Sequence, residues 1–330
     1  MAQNSSEIKQ RLSVFFNGNE DMMRRYIESY GEELSMKNIK ELRQKVEDEA
    51  AEAEEPGEDP LYTIELECPV CKNLGIEYYE MRAKSQFLYH DQFMTPMYKG
   101  INGYKTVNFA HYAMGVCPKC LFASPDKKDF CSVSLVTKQK VASKVPPIVL
   151  GDLLEGMGER LTILEELPDK DGLFQFPRSA ISAINSYRLA IERVNVELRH
   201  RLPYSYYKLG SYWTRIALIE RLAHMNDEAS LEMAAESFKK AFLNSDFPNP
   251  DLEFQSVYII FAIYMRLDLM DEGRKYMALF DTAKSDFENG VRHEPSGLSA
   301  VKKWKDKAVS LWESREDDDL WDIPKPRGVN

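Results

Sequence analysis

The sequence is poor in the residues that usually carry catalysis. Its five histidines, His90, His111, His200, His224 and His293, are scattered without the spacing of a metal site or of a nucleophile and its base. It has no Gly-rich phosphate loop, no G-x-S-x-G turn, no H-E-x-x-H helix and no G-x-G-x-x-G fingerprint. The usual signatures of phosphoryl transfer, acyl transfer, zinc proteolysis and dinucleotide binding are therefore missing. Carboxylate pairs such as Glu165 and Glu166 read as solvated helix faces. The expectation is a protein without enzymatic activity. Long hydrophobic runs are lacking too: the longest, Val257 to Met265, falls far short of the roughly 20 residues that cross a bilayer. The opening MAQNSSEIKQ has no basic segment followed by an apolar one, so the expected location is the cytoplasm. Thiols stay reduced there, and paired cysteines point to metal or redox chemistry before structural disulfides.

Cysteine is scarce, with five in 330 residues, yet four of them form two Cys-Pro-x-Cys figures, ECPVC at 67–71 and VCPKC at 116–120. A Cys-x-x-Cys turn brings two sulfurs to one point while its backbone N–H groups donate to them. Two such turns supply the four soft ligands that tetrahedral zinc takes. Pro69 and Pro118 stiffen the turns. The predicted ligands are Cys68, Cys71, Cys117 and Cys120, holding one structural Zn2+ in an elaborated zinc ribbon, since the intervening segment exceeds the usual ribbon spacing. A thiol redox or sensor centre and an iron-sulfur site are the alternatives. Four thiolates leave no open position, which argues against catalytic zinc. Cys131 is expected to be a small buried residue, and His90 and His111 packing or surface residues.

Charge separates the chain into parts. Residues 1–61 carry −7, residues 62–145 carry +4 and residues 146–330 carry −7. The first fifty residues show helical spacing in Ile8, Leu12, Phe15 and Phe16, in Met22, Met23, Tyr26, Ile27 and Tyr30, and in Ile39, Leu42 and Val46, with Asn19 as a helix cap. An acidic linker follows at 51–61. Within the zinc-ribbon-like domain expected over 62–145, residues 62–123 have β texture, with near-alternation over Tyr104 to Val116 and a turn at KGING, 99–103. The aromatics of this basic segment, with Lys84, Lys99 and Lys105, give a second possible role, stacking single-stranded nucleic acid or RNA.

From 146 to 314 nearly everything reads as helix, in segments at 151–166, 178–201, 204–224, 228–244, 251–268, 271–289 and 297–314. Ala183, Tyr187 and Ala190, then Ala234, Phe238 and Ala241, and more loosely Gly273, Met277 and Phe280, place small residues around a large one. Such figures let paired helices approach, as in tetratricopeptide (TPR) repeats, although the spacing is longer than in those. The predicted fold is mainly α and multidomain: a short N-terminal helical segment, a small zinc-ribbon-like β-rich domain and a TPR-like helical domain. Residues 315–330, acidic and Pro-containing, are expected to be a disordered tail.

The order of parts is also distinctive. The two knuckles, then NSYRLAIERVN (185–195), YYKLGSYWTRIALIER (206–221) and AAESFKKAFLNSDF (234–247), resemble an uncharacterised bacterial family known as domain of unknown function 2225, over residues 62–250. Lys72 and Leu121 follow the knuckles where such turns commonly carry glycine. The resemblance implies a metal-binding head joined to TPR-like helices, with no established activity. Tyr212, Trp213 and Arg215 are candidate partner-binding residues, an aromatic and an arginine making an effective recognition pair. The functional expectation is a zinc-stapled scaffold or adaptor whose helices bind a protein partner.

Overall fold

The structure is a computed structural model and describes residues 57–133, 139–165, 174–317 and 319–324, with 12, 16, 20–31, 35, 37–39, 42 and 326. Near the N-terminus, helix α1 (Glu20–Tyr30) presents Tyr26 to a small cluster of its own with Leu12, Phe16, Ile39 and Leu42. The expected roles of Ile8, Phe15, Asn19, Val46 and most of the acidic linker lie outside the described residues.

Four antiparallel hairpin ladders make the cysteine-bearing head. Strand β1 (Leu61–Leu66) pairs with β2 (Ile76–Met81), β3 (Gln86–His90) with β4 (Pro96–Gly100), β5 (Gly115–Val116) with β6 (Ala123–Ser124), and β7 (Ser132–Val133) with β8 (Lys140–Val141). Two-stranded ladders are marginal on their own, so this head depends on what it packs against. Tyr104 to Val116 is only partly extended. Asn108 Oδ1 accepts from the Ala110 N–H and winds Phe109–His111 into a 3-10 turn, leaving Gly115 and Val116 as the strand. Gly115 is required by close approach, since a Cβ there would meet the Tyr78 ring at 2.8 Å.

The remaining described elements are helices. After Pro146 and Pro147, α2 (Pro147–Glu155) and α3 (Met157–Glu165) replace the single expected helix, broken at Gly156. Then come α4 (Ala180–Arg199), α5 (Ser205–Leu222), α6 (Glu228–Leu243), α7 (Pro250–Arg266), α8 (Met270–Glu288) and α9 (Gly297–Glu313). From α4 to α8 each helix packs on the next, and α9 packs on both α7 and α8. Five successive helices stop the same way: Arg201, His224, Ser245, Asp268 and Gly290 adopt positive φ. The following N–H reaches back into the last turn, as in Leu202 to the Glu197 carbonyl (3.0 Å) and Leu269 to Tyr264 (2.8 Å). This is the Schellman stop, and four of the five residues bear a side chain that disfavours it. Gly210 lets α5 meet α6 closely, because a Cβ there would lie 2.7 Å from the Phe238 ring. Among the described residues no helix is long and apolar enough to cross a membrane.

Head and helices share their cores. Leu66, Ile76, Phe122 and Phe130 pack with Val149 and Leu153 of α2 and Val196 of α4. Met114, Val116, Leu121 and Ala123 join Ala183, Tyr187, Ile191 and Ile216 of α4 and α5. Phe93, from the β3–β4 turn, belongs to the large core of α6, α7 and α9. That turn is anchored by the buried Asp91 carboxylate, 2.5 Å from Arg221 of α5. In place of a solvated tail, Trp321 stacks on Phe93 at 5.7 Å and 10°, and Gln92 Nε2 donates to the Leu320 carbonyl.

Candidate metal centre

Each Cys-Pro-x-Cys figure occupies the tip of a hairpin, the first between β1 and β2 and the second between β5 and β6. The two tips repeat one backbone pattern. The Cys68 N–H donates to Asn73 O (2.9 Å) and the Lys72 N–H to Cys68 O (3.1 Å); likewise Cys117 N–H donates to Phe122 O (2.8 Å) and Leu121 N–H to Cys117 O (2.9 Å). Lys72 and Leu121, where glycine was the common choice, have φ of 61° and 62°. Both side chains therefore sit in the left-handed region that closes the knuckle, at a conformational cost of about 1 kcal/mol each.

The four sulfurs converge. Cys68 Sγ lies 3.4 Å from Cys120 Sγ and Cys71 Sγ lies 3.6 Å from Cys117 Sγ, all four within 4.8 Å of one another. A tetrahedron of thiolates at a zinc–sulfur distance of about 2.3 Å has sulfurs about 3.8 Å apart, so these residues fit a four-coordinate ion with only small adjustments. Cys68, Cys117 and Cys120 are fully buried. The neighbouring Cys120 and Cys68 thiols, and then the Cys120 and Lys119 backbone N–H groups, pull the Cys117 thiol well down in pKa, against its burial. The Cys68 thiol is pushed up, first by the neighbouring Cys117 sulfur. Metal binding takes cysteines as thiolates, so loading the site releases protons.

A residue that the motif does not announce supports the second knuckle. Arg160 of α3, only 3% exposed, donates from Nε and Nη2 to the Cys120 carbonyl at 3.1 and 3.0 Å. It also donates to the carbonyls of Leu153 and Gly156 in the break between α2 and α3. Arg178 similarly joins the head to α4, donating to the carbonyls of His111 (3.2 Å) and Met114 (2.7 Å). Arg193 pairs Asp129 of the head with Glu197 of its own helix, each at 2.7 Å. In the sequence these arginines look like those of any solvated helix, and only the burial of α3 and α4 against the head distinguishes them.

The other candidates lie elsewhere. Cys131 is buried beside the first knuckle, its backbone paired with Glu67, and is not one of the four clustered sulfurs. His111 Nδ1 is 3.3 Å from the Arg178 carbonyl and His90 ends β3. Tyr212 is buried in the α4–α5 core, and Trp213 is half-buried between two core clusters. Arg215 lines a cleft between head and helices.

Comparison with curated proteins and with solved structures gives no match for this chain. A family described as an uncharacterized protein conserved in bacteria, DUF2225, matches residues 61–313, taking in both knuckles and every helix from α2 to α9. The chain belongs to that family.

Proposed function

We propose that Cys68, Cys71, Cys117 and Cys120 hold one structural zinc ion in a non-enzymatic cytoplasmic protein whose TPR-like helices bind a protein partner. The observation that carries the metal reading is the closure of four sulfurs within 4.8 Å, with three of the four residues buried. A site of this kind has no position for substrate, so the ion supplies folding free energy. Knuckles at two hairpin tips suit a zinc ribbon, and the small residues of α4 and α6 around Tyr187 and Phe238 suit a TPR-like stack. The adaptor role rests on that stack, which presents extended helical faces beyond the shared core.

The test is Cys117→Ser in the full chain. It is expected to lose zinc and to lower the melting temperature of head and helices together, because their cores are continuous, and to abolish partner capture. Retained zinc with unchanged melting would overturn the metal reading, and undiminished partner capture by the zinc-free variant would overturn the link between the two. A second reading is favoured by the outer face of β3, where Phe87 and Tyr89 stack at 6.5 Å and 18°, Phe87 being exposed and directly opposite Lys99. Such a face takes unpaired bases. It predicts binding to a short single-stranded RNA with a steep salt dependence, and no binding at low salt would end it.

A further inference from the structure

Between the cysteine-bearing head and α4 and α5 lies a cleft of about 520 Å³, the size of a small-molecule site. Six aromatic residues, Tyr78, Tyr98, Phe109, Tyr187, Tyr207 and Tyr212, are among those lining it. Most of the charges that reach it are already matched. Arg193 is paired with Asp129 and Glu197, Lys208 lies 2.6 Å from Glu197, and the exposed Asp126 caps its own turn by accepting from the Lys128 N–H.

Two groups are not matched. Among the described residues, Arg215 has a single hydrogen bond, to the Ser211 carbonyl of its own helix (2.9 Å), and no carboxylate within ion-pair distance. The Tyr187 hydroxyl is completely buried and has no hydrogen-bond partner among the described residues. Burial pushes the phenols of Tyr98, Tyr187, Tyr207 and Tyr212 up in pKa, and the Arg215 charge opposes that on each. The guanidinium and all four rings line the same cleft. An unpaired planar fork of N–H donors fits a carboxylate or a phosphate, and flanking rings fit a flat apolar body.

We propose that this cleft binds a small planar molecule bearing one anionic group, the anion resting on Arg215, the ring lying among the tyrosines and an acceptor atom taking the Tyr187 hydroxyl. This is a ligand site separate from the four sulfurs, built jointly by head and helices. Its affinity therefore depends on an intact fold and is measured on the metal-loaded full chain.

The probes are benzoate and phenyl phosphate, with phenol and inorganic phosphate as controls, titrated by calorimetry. At least one of the two aromatic anions is expected to bind at a single site with a Kd of about 1 mM or tighter, and the stronger of the two identifies carboxylate or phosphate. Arg215→Gln should weaken it at least about tenfold, as loss of a charged hydrogen bond does. Tyr187→Phe removes an oxygen without a partner, so it should melt no lower than wild type and still weaken the probe several-fold. Binding of phenol as tight as that of the anions, equal affinity in both variants, or no binding of either anion at about 10 mM would overturn the proposal.

Discussion

Replacing Arg160 by methionine tests whether the metal centre and the helices form one cooperative structure, because the arginine bonds to the backbone carbonyl of a knuckle cysteine and to the carbonyls of Leu153 and Gly156. Methionine fills a similar volume, but the carbonyls of Cys120, Leu153 and Gly156 lose their guanidinium donor. A hydrogen bond to a charged group is worth about 1.5–3 kcal/mol and each buried carbonyl left short costs about 1–3 kcal/mol. Relief of the buried guanidinium's own desolvation offsets part of that, so the net loss is about 3 kcal/mol. The Cys120 carbonyl belongs to the knuckle itself, and removing a group that supports metal ligands typically weakens metal binding about 10- to 100-fold. The assay is competition with a chromogenic chelator, paired with urea unfolding in buffered free zinc. The stability deficit should be largest at saturating free zinc and narrow as free zinc falls below the dissociation constants, because the zinc-linked part of stability is then lost from both proteins. Arg160→Lys, with its single point charge, should lie between. Unchanged zinc affinity in Arg160→Met, with stability alone reduced, would refute the coupling.

Three further outcomes are expected. His224→Gly should stabilise the chain by about 1 kcal/mol, since this exposed residue holds φ of 54° at the end of α5, and a melting temperature at or below wild type would contradict the helix-stop analysis. Burial raises the Glu220 carboxyl to about 6, so the folded state holds its proton more tightly than the unfolded chain, and stability is lost as pH rises from about 4.5 to 6. Glu220→Gln should therefore gain about 1 kcal/mol at pH 8, after screening by solvent, and nothing at pH 4; a gain that does not depend on pH would exclude this cause. Trp321→Ala should cost about 1–2 kcal/mol by removing the stack on Phe93, and unchanged urea unfolding would show that this segment is not docked.

The parts legible in the sequence were those encoded locally. Two CPxC figures identify the clustered sulfurs because a knuckle is a short-range structure, set by a proline, two cysteines and one left-handed residue. Apolar periodicity placed the long helices to within a few residues at most ends, because each buries a stripe against its sequence neighbours. The break at Gly156 was missed because α2 and α3 have one continuous pattern, and it is held open by the Arg160 side chain returning to the Gly156 and Leu153 carbonyls.

Long-range burial was not legible. The change of composition near residue 146 suggests a boundary, yet Val116, Leu121 and Ala123 share a core with Ala183 and Ile216, and Phe93 is buried among α6, α7 and α9. Nothing in a local pattern says that Phe93, in the β3–β4 turn, crosses to the helices while Phe87, in β3, stays exposed. The same limit applies to Tyr212 and Trp213, whose place beside Arg215 suggests a recognition surface. Helical geometry buries Tyr212 and half-buries Trp213 against the core, and leaves Arg215 lining the cleft beside the Tyr212 ring.

The most direct measurement is elemental analysis of the full chain purified without added metal, together with the redox state of its thiols. The account predicts one zinc ion per chain and reduced cysteines, with the four clustered sulfurs resisting alkylation until a chelator removes the ion. A metal-free protein with disulfides joining the pairs, or iron with visible absorption, would contradict it and make the two knuckles a redox centre.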